Sequence, residues 1–275
     1  MIKTILVCLD TTDRTAALLD LAVPLAERHG AHLVGLHVVP NVFVNLASEI
    51  SMQYLDEIKG NQTATAEAVK AAFETRAAAA GISAEWRQEE PIDSDYERVV
   101  TRHALCADLV VAGQPHASDW SGGALVVNVL IETGRPILFA PSVGRFESVG
   151  ERVTIAWNGT REAARAAYDA LPLLTEASKV SVLVVESGRR PSRDGLSPAD
   201  DLALVLARHG VEAKARRIAR GETSVGDDLL SSLVDEGSDL LVMGCYGHSR
   251  IREMLFGGVT RHVLQHMNIP VLMSR

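Results

Sequence analysis

The chain repeats itself, and that repeat limits its folding more than any other feature. Residues 5–10, ILVCLD, return as 153–158, VTIAWN, and each run is followed by Thr-containing polar residues, an Ala-rich stretch and a proline. Asp10 to Asn158 and Pro24 to Pro172 share one offset of 148 residues, so two independent landmarks agree on a single duplication. The match continues: residues 33–39 pair with 180–185, Gly81-Ile82 with Gly210-Val211, 108–113 (DLVVAG) with 239–244 (DLLVMG), and 135–138 with 269–272. Each half is therefore read as a complete domain, 1–144 and 150–275, with the boundary near residues 141–150.

Within each half, short aliphatic runs alternate with longer helical patterns. This predicts βαβ units and a parallel sheet with helices on both faces. Strands are expected near 3–9, 33–39, 83–89, 108–112 and 136–140, and again near 152–157, 180–185, 211–218, 239–243 and 270–274. Five such strands with right-handed crossovers give a doubly wound, Rossmann-like α/β domain, whose ligand site lies beyond the carboxyl ends of the strands at the switch point. The halves diverge between their second and third strands. The first has a long Ala-rich helical stretch over 45–80; the second has a shorter polar segment, 186–201, that reads as a mobile loop.

The most informative stretch is 239–270, DLLVMGCYGHSRIREMLFGGVTRHVLQHMNIP. A buried strand ends at Gly244 and a loop runs through Gly247 to Gly257. An amphipathic helix then opens at Gly258, Val259 and Thr260. Glycines let backbone N–H groups approach a ligand without Cβ obstruction. A helix N-terminus aims its unpaired N–H groups and positive dipole end at the same loop. Such a combination suits an anion, usually phosphate.

The strand followed by G-x2-G-x9-G resembles the nucleotide-binding signature of the universal stress protein family, and with the repeat the chain resembles a tandem member. The family's pattern ends in Gly followed by Ser or Thr; here Gly257 is followed by Gly258, and Thr260 supplies the nearest hydroxyl. The resemblance implies strand order 3-2-1-4-5 in each half, placing Asn158 and Gly244 at one crevice. It also implies contact between paired domains through their final strands, here 136–140 and 270–274, as an internal pseudo-dimer that can itself form a homodimer. It further implies an acidic residue on the adenosine at the end of strand one, held as Asp10 in the first half but replaced by Asn158 in the second, and a valine lining the adenine pocket, Val38 or Val185. Gly244, Gly247, His248, Ser249 and Gly257–Thr260 would hold the phosphates of ATP or another adenine nucleotide, with or without Mg2+. Arg250, Arg252 and the pairs Arg216-Arg217 and Arg189-Arg190 are candidates to neutralise charge.

The first half is poorer in these parts. Gly113 is followed by Gln114, Pro115 and His116, so histidine replaces the second glycine and proline removes a donor. The stretch from Gly113 to Pro136 is three residues shorter than that from Gly244 to Pro270. The second half is thus the binding candidate and the first is degenerate.

Composition narrows the function classes. A net charge of −8 argues against nucleic acid as the main partner. No run is long enough to span a membrane, and the N-terminus enters a strand pattern at once, so the cytoplasm is the expected location. Cys8, Cys106 and Cys245 form no C-x-x-C, as suits reduced thiols. Cys245, beside Gly244, reads as an inert buried thiol, since redox sensitivity would require exposure near a helix N-terminus. His262 and His266 stand at helical i, i+4 spacing, but no sequence neighbour completes a metal set. There is no Walker lysine, no paired metal-binding carboxylate in the loop and no base placed to orient water. The leading reading is a non-catalytic, ATP-binding regulatory module of a stress response with an unidentified protein partner. Two alternatives stand beside it: a slow ATPase or phosphotransferase with Ser249 or Thr260 accepting phosphate, and an interaction scaffold that binds no nucleotide.

Overall fold

A continuous apolar run such as TILVC can only be a strand if both of its faces are covered. It forms β1 (Thr4–Cys8), buried along nearly its whole length. The computed structural model describes residues 1–39, 52–91, 96–115, 125–146, 149–186, 198–245 and 258–275. These residues form two compact units, Met1–Gly113 and Gln114–Arg275.

In the first unit β1 lies between β2 (His32–Val38) and β4 (Leu109–Gly113), and β3 (Ala84–Glu89) closes the edge beyond β2. All pairings are parallel, with Ile5 opposite both Leu33 and Leu109. Three helices serve this sheet: α1 (Thr12–His29), α2 (Met52–Ala80) and α3 (Tyr96–Ala104). Helix α1 stops at Gly30, whose φ of 57° gives the left-handed cap that glycine adopts without cost. Of the 29 residues of α2, only the stripe Ala66, Val69, Phe73 and Ala77 is buried. Phe73 settles onto Gly35 of β2, where a methyl group would fall 2.8 Å from the ring. Edge strand β3, AEWRQE, carries charges that discourage pairing with another chain.

The second unit holds β5 (Ile137–Ala140), β6 (Arg152–Ala156), β7 (Lys179–Glu186), β8 (Ala213–Ala219), β9 (Leu240–Gly244) and β10 (Val271–Ser274), in the order β5-β10-β9-β6-β7-β8. The second repeat therefore has the expected 3-2-1-4-5 order, and its ladders are parallel. Its helices are α5 (Arg161–Asp169), α6 (Leu171–Leu174), α7 (Pro198–Arg208), α8 (Val225–Glu236) and α9 (Gly258–His266). The unit also contains α4 (Leu125–Thr133) from the first repeat. Strand β5, the last of the first repeat, pairs antiparallel with β10 through Phe139↔Val271, Leu138↔Leu272 and Ile137↔Met273. These are the two final strands that the resemblance implicated.

One element differs from the sequence reading. The polar segment 186–201 is not loop to its end, because α7 starts at Pro198. Proline's fixed φ and missing N–H suit the first helical position, and Asp200 and Asp201 favour the first turn. Residues 187–197 and 45–51, also covered by that reading, lie outside the described residues. Among the described residues no helix is long and apolar enough to cross a membrane.

The repeated aspartate before the fourth strand has a clear task. Asp108 accepts the N–H groups of Lys3 and Thr4 at 2.8 and 3.0 Å. Asp239 does the same for Gly150, Glu151 and Arg152 at 3.2, 3.0 and 2.8 Å. Each carboxylate thus ties the start of strand four to the start of strand one.

Candidate functional site

The switch point of the second unit falls between β6 and β9, because the chain leaves β6 toward β7 on one side and returns to β9 on the other. Ala156 is paired with Met243, so the chain emerges from both strands side by side at Asn158 and Gly244. The side-chain oxygen of Asn158 accepts from the backbone N–H and the hydroxyl of Thr160, at 3.2 and 2.8 Å. This orients the amide. Among the described residues nothing accepts from its nitrogen. Thr160 then caps α5 by accepting from Ala163 N at 3.3 Å. Among the described residues the indole N–H of Trp157, one residue before Asn158, is buried without an acceptor, and the hydroxyl of Ser274, opposite Gly244 on β10, is buried without a partner.

The reason for glycine at 244 is helix packing. A methyl group there would fall 2.4 Å from Ala163 N and from the carbonyl carbon of Glu162, so the first turn of α5 rests directly on the end of β9. Glu162 is itself buried and is bonded by Arg161 Nε at 2.7 Å. Burial pushes its carboxyl upward, but the guanidinium and nearby donors outweigh that and hold it below its ordinary value. Cys245 follows, fully buried, donating its N–H to Ser274 O at 3.0 Å. Desolvation pushes its thiol up to about 12, and Cys8 in the first unit is likewise raised to about 12 by burial.

The remaining candidates are distributed as follows. Val185 lies half-buried near the end of β7, paired with Ile218. Gly258 opens α9 with no described residue near its Cβ position, Val259 is partly exposed and Thr260 is buried. Gly247, His248, Ser249 and Gly257 lie outside the described residues, as do Arg189, Arg190, Arg250 and Arg252. Arg216 and Arg217 are engaged elsewhere: Arg216 and Lys179 both pair with the buried Glu236, and Arg217 reaches Asp200 at 3.3 Å.

For the two histidines on α9 the fold supplies a carboxylate that the local sequence lacked. His262 Nε2 lies 2.9 Å from Asp227 Oδ1 of α8, off the line of an aligned hydrogen bond. The two rings stack at 4.3 Å, and His266 Nδ1 is spent on the His262 carbonyl at 2.9 Å. No group of three or more His, Cys, Asp or Glu among the described residues is arranged to hold a metal.

At the matching place in the first unit, Asp10 is spent. Its Oδ1 accepts Thr11 N–H at 2.9 Å and its Oδ2 accepts Arg14 Nη1 at 3.1 Å. Gln114, the counterpart of Cys245, is a buried link within the second unit. Its N–H donates to Ala140 O at 2.8 Å, its amide nitrogen to Leu264 O at 2.7 Å, and its oxygen accepts Ser142 N–H at 2.8 Å. No pattern in the sequence marked Gln114 for this role. Arg14 and Glu162 stood four residues after Asp10 and Asn158, where the repeat offset aligns them.

The profile of the universal stress protein family matches residues 1–131 and 151–275. Universal stress protein Slr1230 of Synechocystis sp. is 51% identical over 41 residues, 15% of this chain and 14% of that protein. Universal stress protein MJ0577 of Methanocaldococcus jannaschii is 36% identical over 49 residues, 18% of this chain and 30% of that protein. The chain thus aligns with less than a third of either relative's length. Among solved structures, a universal stress protein from Archaeoglobus fulgidus superposes with a TM-score of 0.73 at 18% identity, covering 99% of this chain and 96% of that one, a likeness of fold.

Two outcomes follow from the site's packing. Gly244→Ala forces a methyl group into the backbone of α5, which cannot swing aside, and should destabilise the protein by about 1–3 kcal/mol by the usual cost of overpacking; an unchanged midpoint in chemical denaturation would contradict this. Thiol titration of the native protein at pH 8 should count Cys106 alone, the exposed cysteine, with Cys8 and Cys245 reacting only after denaturation. A second fast-reacting thiol in the native protein would contradict the burial described.

Proposed function

The chain belongs to the universal stress protein family, and on that premise we propose that its second half binds an adenine nucleotide, ATP or a close relative, and acts as a nucleotide-dependent regulatory module in a stress response. The ribose is assigned to Asn158, the adenine to the end of β7 at Val185, and the phosphates to Gly244, Gly247, His248, Ser249 and the start of α9 from Gly257 to Thr260. Mg2+ would accompany the phosphates.

One observation carries this reading: among the described residues the end of β6 keeps donors without acceptors, whereas at the end of β1 both oxygens of Asp10 are engaged. Asn158 holds its amide nitrogen without an acceptor among the described residues, beside Gly244 on the adjacent strand. The indole N–H of Trp157 is buried and has no acceptor among the described residues. Leaving such a group unsatisfied costs about 1–3 kcal/mol, and an acceptor-rich ligand would recover it. Nucleotides are rich in acceptors. Helix α9 supports the phosphate assignment, since the first N–H groups of a helix have no intrahelical acceptors and its N-terminal end carries the positive end of the dipole.

Regulation by binding suits this chain better than turnover. The sequence carries no Walker lysine, and no base is placed in its loop to orient a water molecule. Binding would then act by changing the contacts offered to a protein partner.

Native mass spectrometry and calorimetry with ATP test the proposal. One adenine nucleotide per chain is the expected stoichiometry, and Asn158→Ala should weaken binding about tenfold, the worth of one lost hydrogen bond of ordinary strength. No heat at millimolar ATP and no co-purifying nucleotide would overturn it. Steady release of ADP and phosphate would move the protein to the ATPase reading.

A further inference from the structure

Four residues after the end-of-strand Asp10 and Asn158 stand side chains of opposite charge, Arg14 and Glu162. They behave differently. Glu162 turns to its neighbour Arg161, and the atoms nearest the Cβ position of Gly244 are backbone atoms of its turn. Arg14, on the first turn of α1, folds back over the strand ends. Its Nη1 donates to Asp10 Oδ2 at 3.1 Å, and its guanidinium covers Gly113, where a methyl group would fall 1.6 Å from Nη2. Only 14% of the Arg14 side chain is exposed. Thr11 N–H takes the other oxygen of Asp10 at 2.9 Å. The guanidinium therefore spans the ends of β1 and β4, the two strands that frame the switch point of the first unit. The Tyr96 phenol stands in the same electrostatic neighbourhood, pushed well above its ordinary value chiefly by burial, although part of the residue reaches the surface.

We propose that Arg14 is the built-in occupant of the first unit's crevice, holding the face of Asp10 that an adenosine ribose would need and so closing that unit to nucleosides and nucleotides. This rests on reading the second unit as the nucleotide site and the first as degenerate, and it gives that reading a physical cause. A guanidinium bonded to a carboxylate makes a charge-assisted hydrogen bond, which is stronger than the neutral kind. A ribose hydroxyl is neutral and has to displace it. Among the described residues the second crevice shows no such competitor, because Glu162 is held by Arg161 and Asn158 keeps its nitrogen. Arg14 is thus a specificity determinant by exclusion: it decides how many ligands one chain takes.

The loop of the first half lacks its second glycine and carries Pro115, so the probe for an opened first site is adenosine, which needs no phosphate cradle. Calorimetry with adenosine on the full chain compares the native protein with Arg14→Ala. Binding stoichiometry should rise by one per chain in the variant, and adding Asp10→Ala should abolish the extra site. Circular dichroism and the unfolding midpoint establish that the variant is folded; should it not be, Arg14→Ser, which leaves a hydroxyl near Asp10, takes its place. The readout is the difference between variant and native chain, whatever the native value. A folded variant with no added site overturns the inference, as does an added site that survives the loss of Asp10. A native chain that binds no adenosine while the variant binds one leaves this inference standing, and the second-unit proposal is then decided separately by the calorimetry with ATP.

Discussion

Everything at the open end of the sheet depends on a carboxylate at its other end. Asp108 and Asp239 each accept backbone N–H groups from the first residues of the preceding first strand and so fix the register between strands one and four. Parallel strands rise by about 3.3 Å per residue, so a register set at one end is carried to the other without adjustment. A slip of one residue would turn every side chain to the opposite face of a sheet that is buried on both. That is why Asn158 and Gly244 leave the sheet together, as do Asp10 and Gly113. Each aspartate lies at the opposite end of its strands from the residues it helps to align.

From that shared frame the two units separate through a few side chains. In one, an acid at the end of the first strand is neutralised by an arginine from the following helix. In the other, an amide replaces the acid, and the residue in the arginine's position is a carboxylate tied to its own neighbour. The backbone ladder is the same in both. Divergence after duplication has thus spared the hydrogen-bonded scaffold and altered what the strand ends offer to a ligand. Gln114 is a second instance: the position that opens the loop in the first repeat now bonds to the ends of β5 and α9.

Most of the fold was legible in the sequence because the signals that specify it are local or repeated. All ten strands lie within a residue or two of where apolar runs and the repeat offset put them, and α2 ends at Ala80 as read. Pro198 was the local signal misread: it marked a helix start and was taken as part of a loop. The candidate site was legible in outline only. That Asn158 and Gly244 lie at adjacent strand ends followed from the strand order that the family resemblance implies. The close packing of α5 on Gly244 did not, because a glycine that admits a helix backbone and one that admits a ligand look identical in sequence. The Asp227 that meets His262 comes from another helix and could not be counted from spacing along α9. Arg14 was visible in principle, aligned with Glu162 by the repeat, but a reversed charge at matched positions gains meaning only when the side chain is seen to fold back over Gly113.

The central claim is that two copies of one scaffold carry one working nucleotide crevice, in the second half. Photolabelling the purified chain with 8-azido-ATP and mapping the modified peptides tests it most directly. The account predicts label confined to peptides within residues 150–275 and removed by excess ATP; saturable label within residues 1–144, or none anywhere, would contradict it.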